Sequence, residues 1–165
     1  MSNTSSTSWR HLPAPARAIA AGVGKAVAAA QARDAEAFEE AGAGLAGLDP
    51  QRVGRVVGGV VRVLLEELHP DGLTGDDIRG VLERCVRAAA QWWPPVDANV
   101  VVVLLTGALG VHQFDDEAAP VPAAAMARHG ALLTADLLAA SGRPLAPYLS
   151  AVFADIERTE TIEQP

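Results

Sequence analysis

Residues 97–112 read DANVVVVLLTGALGVH, and the secondary structure of this segment distinguishes an all-α fold from a mixed one. Its four consecutive valines, Val100 to Val103, have the restricted side chains that are typical of strands, so a short buried strand is one interpretation. However, no other segment has a strand pattern, and a lone strand would leave its backbone N–H and C=O groups without partners. We therefore predict a buried helix that begins at Asp97, a residue suited to capping it, and ends near His112.

An earlier segment, Pro50 to about Leu68, predicts a second helix with an unusually wide apolar face. Asp49 can cap the first N–H groups of a helix, and proline at the next position needs no N–H partner. From Pro50 to about Leu68, valine and leucine cover more than half of the helical circumference. A face this wide must contact at least two neighbours. Gly54 and Gly58 lie four residues apart on one flank, where a partner helix could approach closely.

The other helices are predicted from prolines, capping residues and apolar spacing. They are a stretch from Pro13 with a break near Asp34 or after Ala41, a helix over residues 74–93, one over 122–140 and a last one from about residue 146. Among the capping residues, Thr74 and Asp77 form a pair typical of a capping box at the start of a helix. The expected fold is a single all-α bundle of about five or six helices. We assign residues 1–12 to a disordered tail, 13–157 to the bundle and 158–165 to a frayed tail.

Composition narrows the class of protein and its partners. The chain contains 33 alanines among 165 residues, which favours closely packed helices, and its formal net charge is −7. An acidic chain is a poor match for phosphate backbones, so no nucleic-acid partner is expected. The longest apolar stretch is shorter than the ~20 residues that span a bilayer, so no membrane is expected either. A single cysteine excludes an internal disulfide and agrees with a cytoplasmic location.

No catalytic or metal-binding constellation emerges from the residue spacing. Cys85 lies in the middle of an apolar stripe, where burial makes a thiol unreactive. His112 precedes an acidic group, residues 115–117, but the spacing fits no known helical metal motif. The preferred interpretation is a capping histidine followed by a solvated loop, and His129 is likewise assigned a surface or capping role. We predict no cofactor or metal and favour a non-catalytic domain, with an enzyme as the third alternative.

A helix-turn-helix that binds nucleic acid is a further alternative, because Leu73 and Thr74 follow a short glycine turn. Arg79, Arg84 and Arg87 would then have to face DNA. Two aspartates, at residues 76 and 77, occupy the end of the helix that normally approaches the bases. Charge therefore opposes this alternative.

Protein contacts are the preferred function, and the expected form is a homodimer. The two copies would associate through the wide apolar face of the Pro50–Leu68 helix or through the alanine-rich first helix. The wide face of the Pro50–Leu68 helix is broader than one small domain can cover, and tryptophan is enriched at interface hot spots. The predicted interface residues are Val53, Val57, Val61, Trp92 and Trp93.

The alternative is a helical domain that binds a small molecule, as in the effector modules of regulators. Its cavity of ~300 Å³ or more would lie between the helix over residues 74–93 and the one over 96–112. The predicted lining is Trp92, Val103 and Leu104, with Thr106 as the polar group.

Overall fold

The structure is a computed structural model that describes residues 9–110 and 120–163. Within these residues the chain forms seven helices and no strand, which confirms the all-α class. The helices are α1 (Ala14–Ala32), α2 (Ala35–Ala46), α3 (Pro50–Leu68), α4 (Gly75–Ala90), α5 (Ala98–Ala108), α6 (Ala123–Ser141) and α7 (Ala146–Glu163).

The count of seven corrects the expected five or six helices. The reason lies in the first helical stretch, which divides into α1 and α2 at the predicted break. Arg33 adopts a left-handed conformation with φ 55°, which ends α1. The Asp34 side chain then accepts a hydrogen bond from the Ala37 N–H at 3.1 Å and starts α2. Such a carboxylate cap supplies a partner for one of the N–H groups that a new helix leaves open.

The four-valine segment is helical, as predicted. Asp97 caps α5, and its Oδ1 accepts a hydrogen bond from the Asn99 N–H at 2.9 Å. The helix ends at Ala108, earlier than expected, and Gly110 follows with a positive φ of 73°. His112 and the acidic group at residues 115–117 lie outside the described residues.

The capping residues predicted for α3 and α4 also form the expected bonds. Asp49 Oδ1 accepts from the Gln51 N–H at 3.0 Å at the start of α3. At the start of α4, the Thr74 hydroxyl accepts from the Asp77 N–H at 3.1 Å, and the Asp77 carboxylate accepts from the Thr74 N–H at 2.9 Å. These local bonds set where each helix begins.

Helix α6 is the centre of the bundle. It packs against α1, α2, α3, α4 and α5, while α7 packs on α3. Most of α6 is buried from Ala127 to Leu138. A helix that is enclosed in this way needs small side chains where its neighbours approach. Gly130 provides such a position, because a Cβ built on it would lie only 2.7 Å from Cγ1 of Val57 on α3.

Both ends of the described chain differ from the sequence assignment. Trp9 belongs to the assigned disordered tail, but it is 5% exposed and packs edge-on against Phe153 with ring centroids 6.1 Å apart. Residues 158–163, assigned to the frayed tail, continue α7 as helix to Glu163. The tryptophan ring explains the first difference, since its large apolar area is best covered by the bundle.

Two glycine substitutions should change stability in opposite directions. Gly130→Ala should lower the free energy of unfolding by about 1 kcal/mol, because overpacking a core costs more than the gain in helix propensity. Gly54→Ala should raise it by about 0.5–1 kcal/mol, since nothing lies within 4 Å of a Cβ there. Urea unfolding measures both. Equal effects of the two variants would contradict the close contact between α3 and α6.

Candidate functional site

The predicted interface valines lie inside the chain. Val53 and Val57 are 5% exposed and Val61 is 1% exposed. The wide face of α3 is covered by four helices of the same chain, namely α1, α5, α6 and α7. The sequence correctly shows that this face needs several neighbours, but those neighbours come from the protein itself. These valines are therefore core residues in the isolated chain.

Trp93 is also a core residue. It is 4% exposed and packs edge-on against Phe38 and His129, with centroid distances of 5.1 and 5.2 Å. Its indole N–H donates to Glu39 Oε1 at 2.7 Å, so the buried polar atom has a partner.

Trp92 keeps partial access to solvent. One side of its ring packs edge-on against Phe38, with centroids 5.2 Å apart. It also borders a shallow groove of about 430 Å³ between α1, α4 and α6, whose described lining includes five alanines. Of the five predicted interface residues, Trp92 alone lies partly at the surface.

A second depression has the character expected of a binding site. This apolar cleft has a volume of about 410 Å³ and lies between the α2–α3 connection, α3, α5 and the start of α6. Its lining is Leu45, Ala46, Leu48, Pro50, Val53, Gly54, Val57, Gly58, Val103, Leu104, Gly107, Ala108, Val121, Ala123, Met126 and Ala127. None of these described side chains carries a charge, a hydroxyl or an amide.

The apolar cleft contains part of the pocket predicted from the sequence. Val103 and Leu104 line it, whereas Trp92 borders the other groove. Thr106 does not line it either, and its hydroxyl donates to the Val102 carbonyl within α5 at 3.0 Å. The predicted polar group is therefore missing from the described lining. Sequence reasoning also missed the contributions of α2 and α6, since no local pattern shows which helices meet.

The walls of the apolar cleft are low where α3 and α5 border it. Gly54, Gly58 and Gly107 all line it, and a Cβ at any of them would meet no atom within 4 Å. Beside them Val103 is 41% exposed, one of two large apolar side chains exposed among the described residues. The close helix approach expected from the Gly54 and Gly58 spacing is therefore not made by the described residues. A ligand or a side chain that enters the cleft can therefore approach the backbones of α3 and α5 closely.

His129 connects α6 to the start of α5. It is 3% exposed, which corrects the surface or capping role expected from the sequence. Its Nδ1 lies 2.7 Å from the Ala125 carbonyl oxygen, and its Nε2 accepts a hydrogen bond from the Asp97 N–H at 2.9 Å. These two partners require a neutral ring with the proton on Nδ1. Burial lowers the pKa of His129 below its ordinary value of 6.5.

Catalytic chemistry finds little support among the described residues. Cys85 is 2% exposed, and burial raises the pKa of its thiol to about 12, so the reactive thiolate is suppressed. Within residues 9–110 and 120–163, no three histidine, cysteine, aspartate or glutamate side chains are grouped to hold a metal ion.

The helix-turn-helix alternative also gains nothing from the geometry. Arg84, one of its proposed contact residues, donates from Nε and Nη2 to Asp136 Oδ2 at 3.0 and 2.8 Å. This guanidinium is engaged in a contact between α4 and α6 of the same chain.

None of the helices in the described part of the chain has the length and apolar character required to cross a membrane.

Comparison with protein-family models, with curated proteins and with solved structures gives no significant match to this chain.

The buried histidine predicts a pH dependence of stability. Its pKa is lower in the folded chain than in the unfolded chain, so below about pH 6.5 the unfolded chain binds more protons. Its stabilising contribution is complete above that pH and decreases as the pH falls toward the folded-state pKa.

Urea unfolding between about pH 7.5 and about pH 5.5 tests this effect. The loss of stability on acidification should be smaller in His129→Gln than in the wild type. The exposed control His11→Gln should behave like the wild type. The same pH slope in all three proteins would show that His129 does not titrate differently on folding.

Proposed function

We propose that the protein is a non-catalytic interaction domain that forms a homodimer through α5 and the apolar cleft beside it. The observation that supports this most directly is the combination of a helix without charge and a cleft without polar side chains. The sequence of α5 is ANVVVVLLTGA, and it contains no charged residue although a fifth of the chain is charged. Soluble proteins seldom leave such a surface uncovered.

The outward face of α5 is apolar or weakly polar. Val103 and Gly107 are exposed on this face, and Val102 and Thr106 are half-buried beside them. The buried side of the helix, with Val101 and Leu105, is held in the core. A helix that is apolar around its circumference is usually buried on all sides. A partner that packs on α5 would complete this burial.

The shape of the apolar cleft favours a helix as its occupant. Most small-molecule sites contain a few placed polar groups that fix the orientation of the ligand. The described lining has none, so binding would depend on shape and apolar area. The open surfaces of Gly54, Gly58 and Gly107 allow a second helix to pack at short distance. An apolar helix in a groove is a common mode of protein recognition.

A second copy of the chain satisfies both requirements at once. In a two-fold symmetric dimer, each copy presents the same surface to the other. Val103 lies at the edge of the apolar cleft and protrudes from α5. Each Val103 could then enter the cleft of the partner while its own cleft receives the partner's Val103. The interface shifts from Val53, Val57 and Val61 to the α5 side of the same region, and the Trp92 groove remains outside it.

We also propose that the protein is located in the cytoplasm. A lone cysteine with a buried thiol is compatible with a reducing compartment.

Charge placed on α5 should separate the dimer. Val103→Glu changes an exposed residue, so the fold should persist, and two carboxylates would face an apolar surface in the dimer. We expect the dissociation constant to rise at least about tenfold, measured by sedimentation over a range of concentrations. The control Ala28→Glu adds the same charge at an exposed position of α1 and should leave the dissociation constant of the dimer unchanged. A wild-type protein that stays monomeric at high concentration would refute the dimer.

A small apolar ligand is the second candidate, because the cleft volume of about 410 Å³ falls within the usual range for small-molecule sites. The neutral fluorescent probe N-phenyl-naphthylamine should then bind to the wild type and to Val103→Ala. Gly58→Leu should abolish binding, since the new side chain extends into open space in the cleft. Probe binding that survives Gly58→Leu would place the apolar site elsewhere.

A further inference from the structure

We propose that protonation of His129 releases the start of α5 and thereby weakens the dimer contact made by α5 and the apolar cleft. This inference rests on the proposed function, because it concerns the regulation of the same surface. It depends on the hydrogen bonds that join His129 on α6 to Asp97, the residue that caps α5.

The imidazole of His129 has no unused hydrogen-bonding position for another proton. Nδ1–H donates to the Ala125 carbonyl, 2.7 Å away, and the lone pair of Nε2 accepts the Asp97 N–H at 2.9 Å. A proton added to Nε2 would point at the Asp97 N–H, so two donors would face each other. The bond between α6 and the α5 cap would be lost, and a positive charge would be left at a buried position.

The charged groups near the ring do not remove this conflict. Asp97 favours the protonated ring electrostatically and Arg128, the preceding residue of α6, opposes it, while burial remains the largest influence on the pKa of His129. On the α2 side, Glu39 Oε1 accepts the indole N–H of Trp93, and its Oε2 lies 3.0 Å from Arg128 Nε. This carboxylate of α2 is therefore engaged with other partners.

The cap position transmits the change to the cleft. The Asp97 carbonyl accepts the first N–H groups of α5, from Val100 at 3.2 Å and Val101 at 3.3 Å. Val101 is fully buried and anchors the helix in the core. Val103 and Leu104 follow directly and form part of the apolar cleft. Loosening of the first turn of α5 therefore disturbs the surface that the partner contacts.

Hydrogen exchange of the wild-type protein at low concentration tests the local step without requiring a dimer. The exchange rates of the Val100 and Val101 amides, corrected for intrinsic pH effects, are compared with those of α3 at about pH 7.5 and about pH 5.5. We expect the ratio of α5 to α3 exchange rates to be up to about tenfold higher at the lower pH. In the opened state the imidazole has its ordinary pKa near 6.5, so opening is favoured by proton uptake at about pH 5.5. His129→Gln should remove this difference, and His11→Gln should retain it.

Sedimentation of the same proteins at the two pH values tests the consequence for self-association. The wild type and His11→Gln should dissociate on acidification, and His129→Gln should not. A constant ratio of α5 to α3 exchange in the wild type overturns the inference, even if His129→Gln does not fold. A wild type that is monomeric at both pH values overturns the proposed dimer, whereas α5 exchange alone reports on the histidine.

Discussion

The burial of α6 is the constraint from which the arrangement of the other helices follows. Five helices surround it, so its polar side chains must find partners within the core. Thr134 does so through a hydrogen bond from Oγ1 to the Gly130 carbonyl at 2.8 Å, and His129 does so through Asp97 and Ala125. Gly130 lets α3 approach where any other side chain would meet Val57. The central helix thus combines close packing with hydrogen-bond partners for its buried His129 and Thr134 side chains.

This arrangement divides the apolar surface unevenly between α3 and α5. The valines of α3 have neighbours on several sides, so a face that is broad in sequence becomes ordinary core. α5 contacts α3, α4 and α6, and its outward face receives no cover from the described residues. The sequence suggested uncovered apolar surface on α3. In the structure, uncovered apolar surface lies instead on α5 and in the adjacent cleft. An apolar helix at the surface is the feature that an interaction domain would require.

The parts of this fold that depend on local chemistry could be predicted from the sequence, and those that depend on distant residues could not. Asp49, Thr74 and Asp97 cap helices as expected, since each bond spans two or three residues. The width of an apolar face shows how much cover a helix needs but not which chain supplies it. The burial of His129 depends on Asp97, 32 residues away, and no spacing rule relates the two. Gly54 and Gly58 suggested a close helix approach, yet a Cβ on either would meet no described atom within 4 Å, so no described helix packs there.

In the proposed dimer, the apolar cleft would be recognised by shape and apolar area, since its described lining has no polar side chain. Stable interfaces bury about 800 Å² on each partner, more than the insertion of one valine can supply. The outward face of α5 must therefore contribute to the proposed contact, and the position of that helix would determine the fit. Its start is held by a neutral imidazole and its middle by Val101 and Leu105 in the core. In this proposal, the geometry of the apolar cleft depends on a core hydrogen bond that protonation of His129 would break.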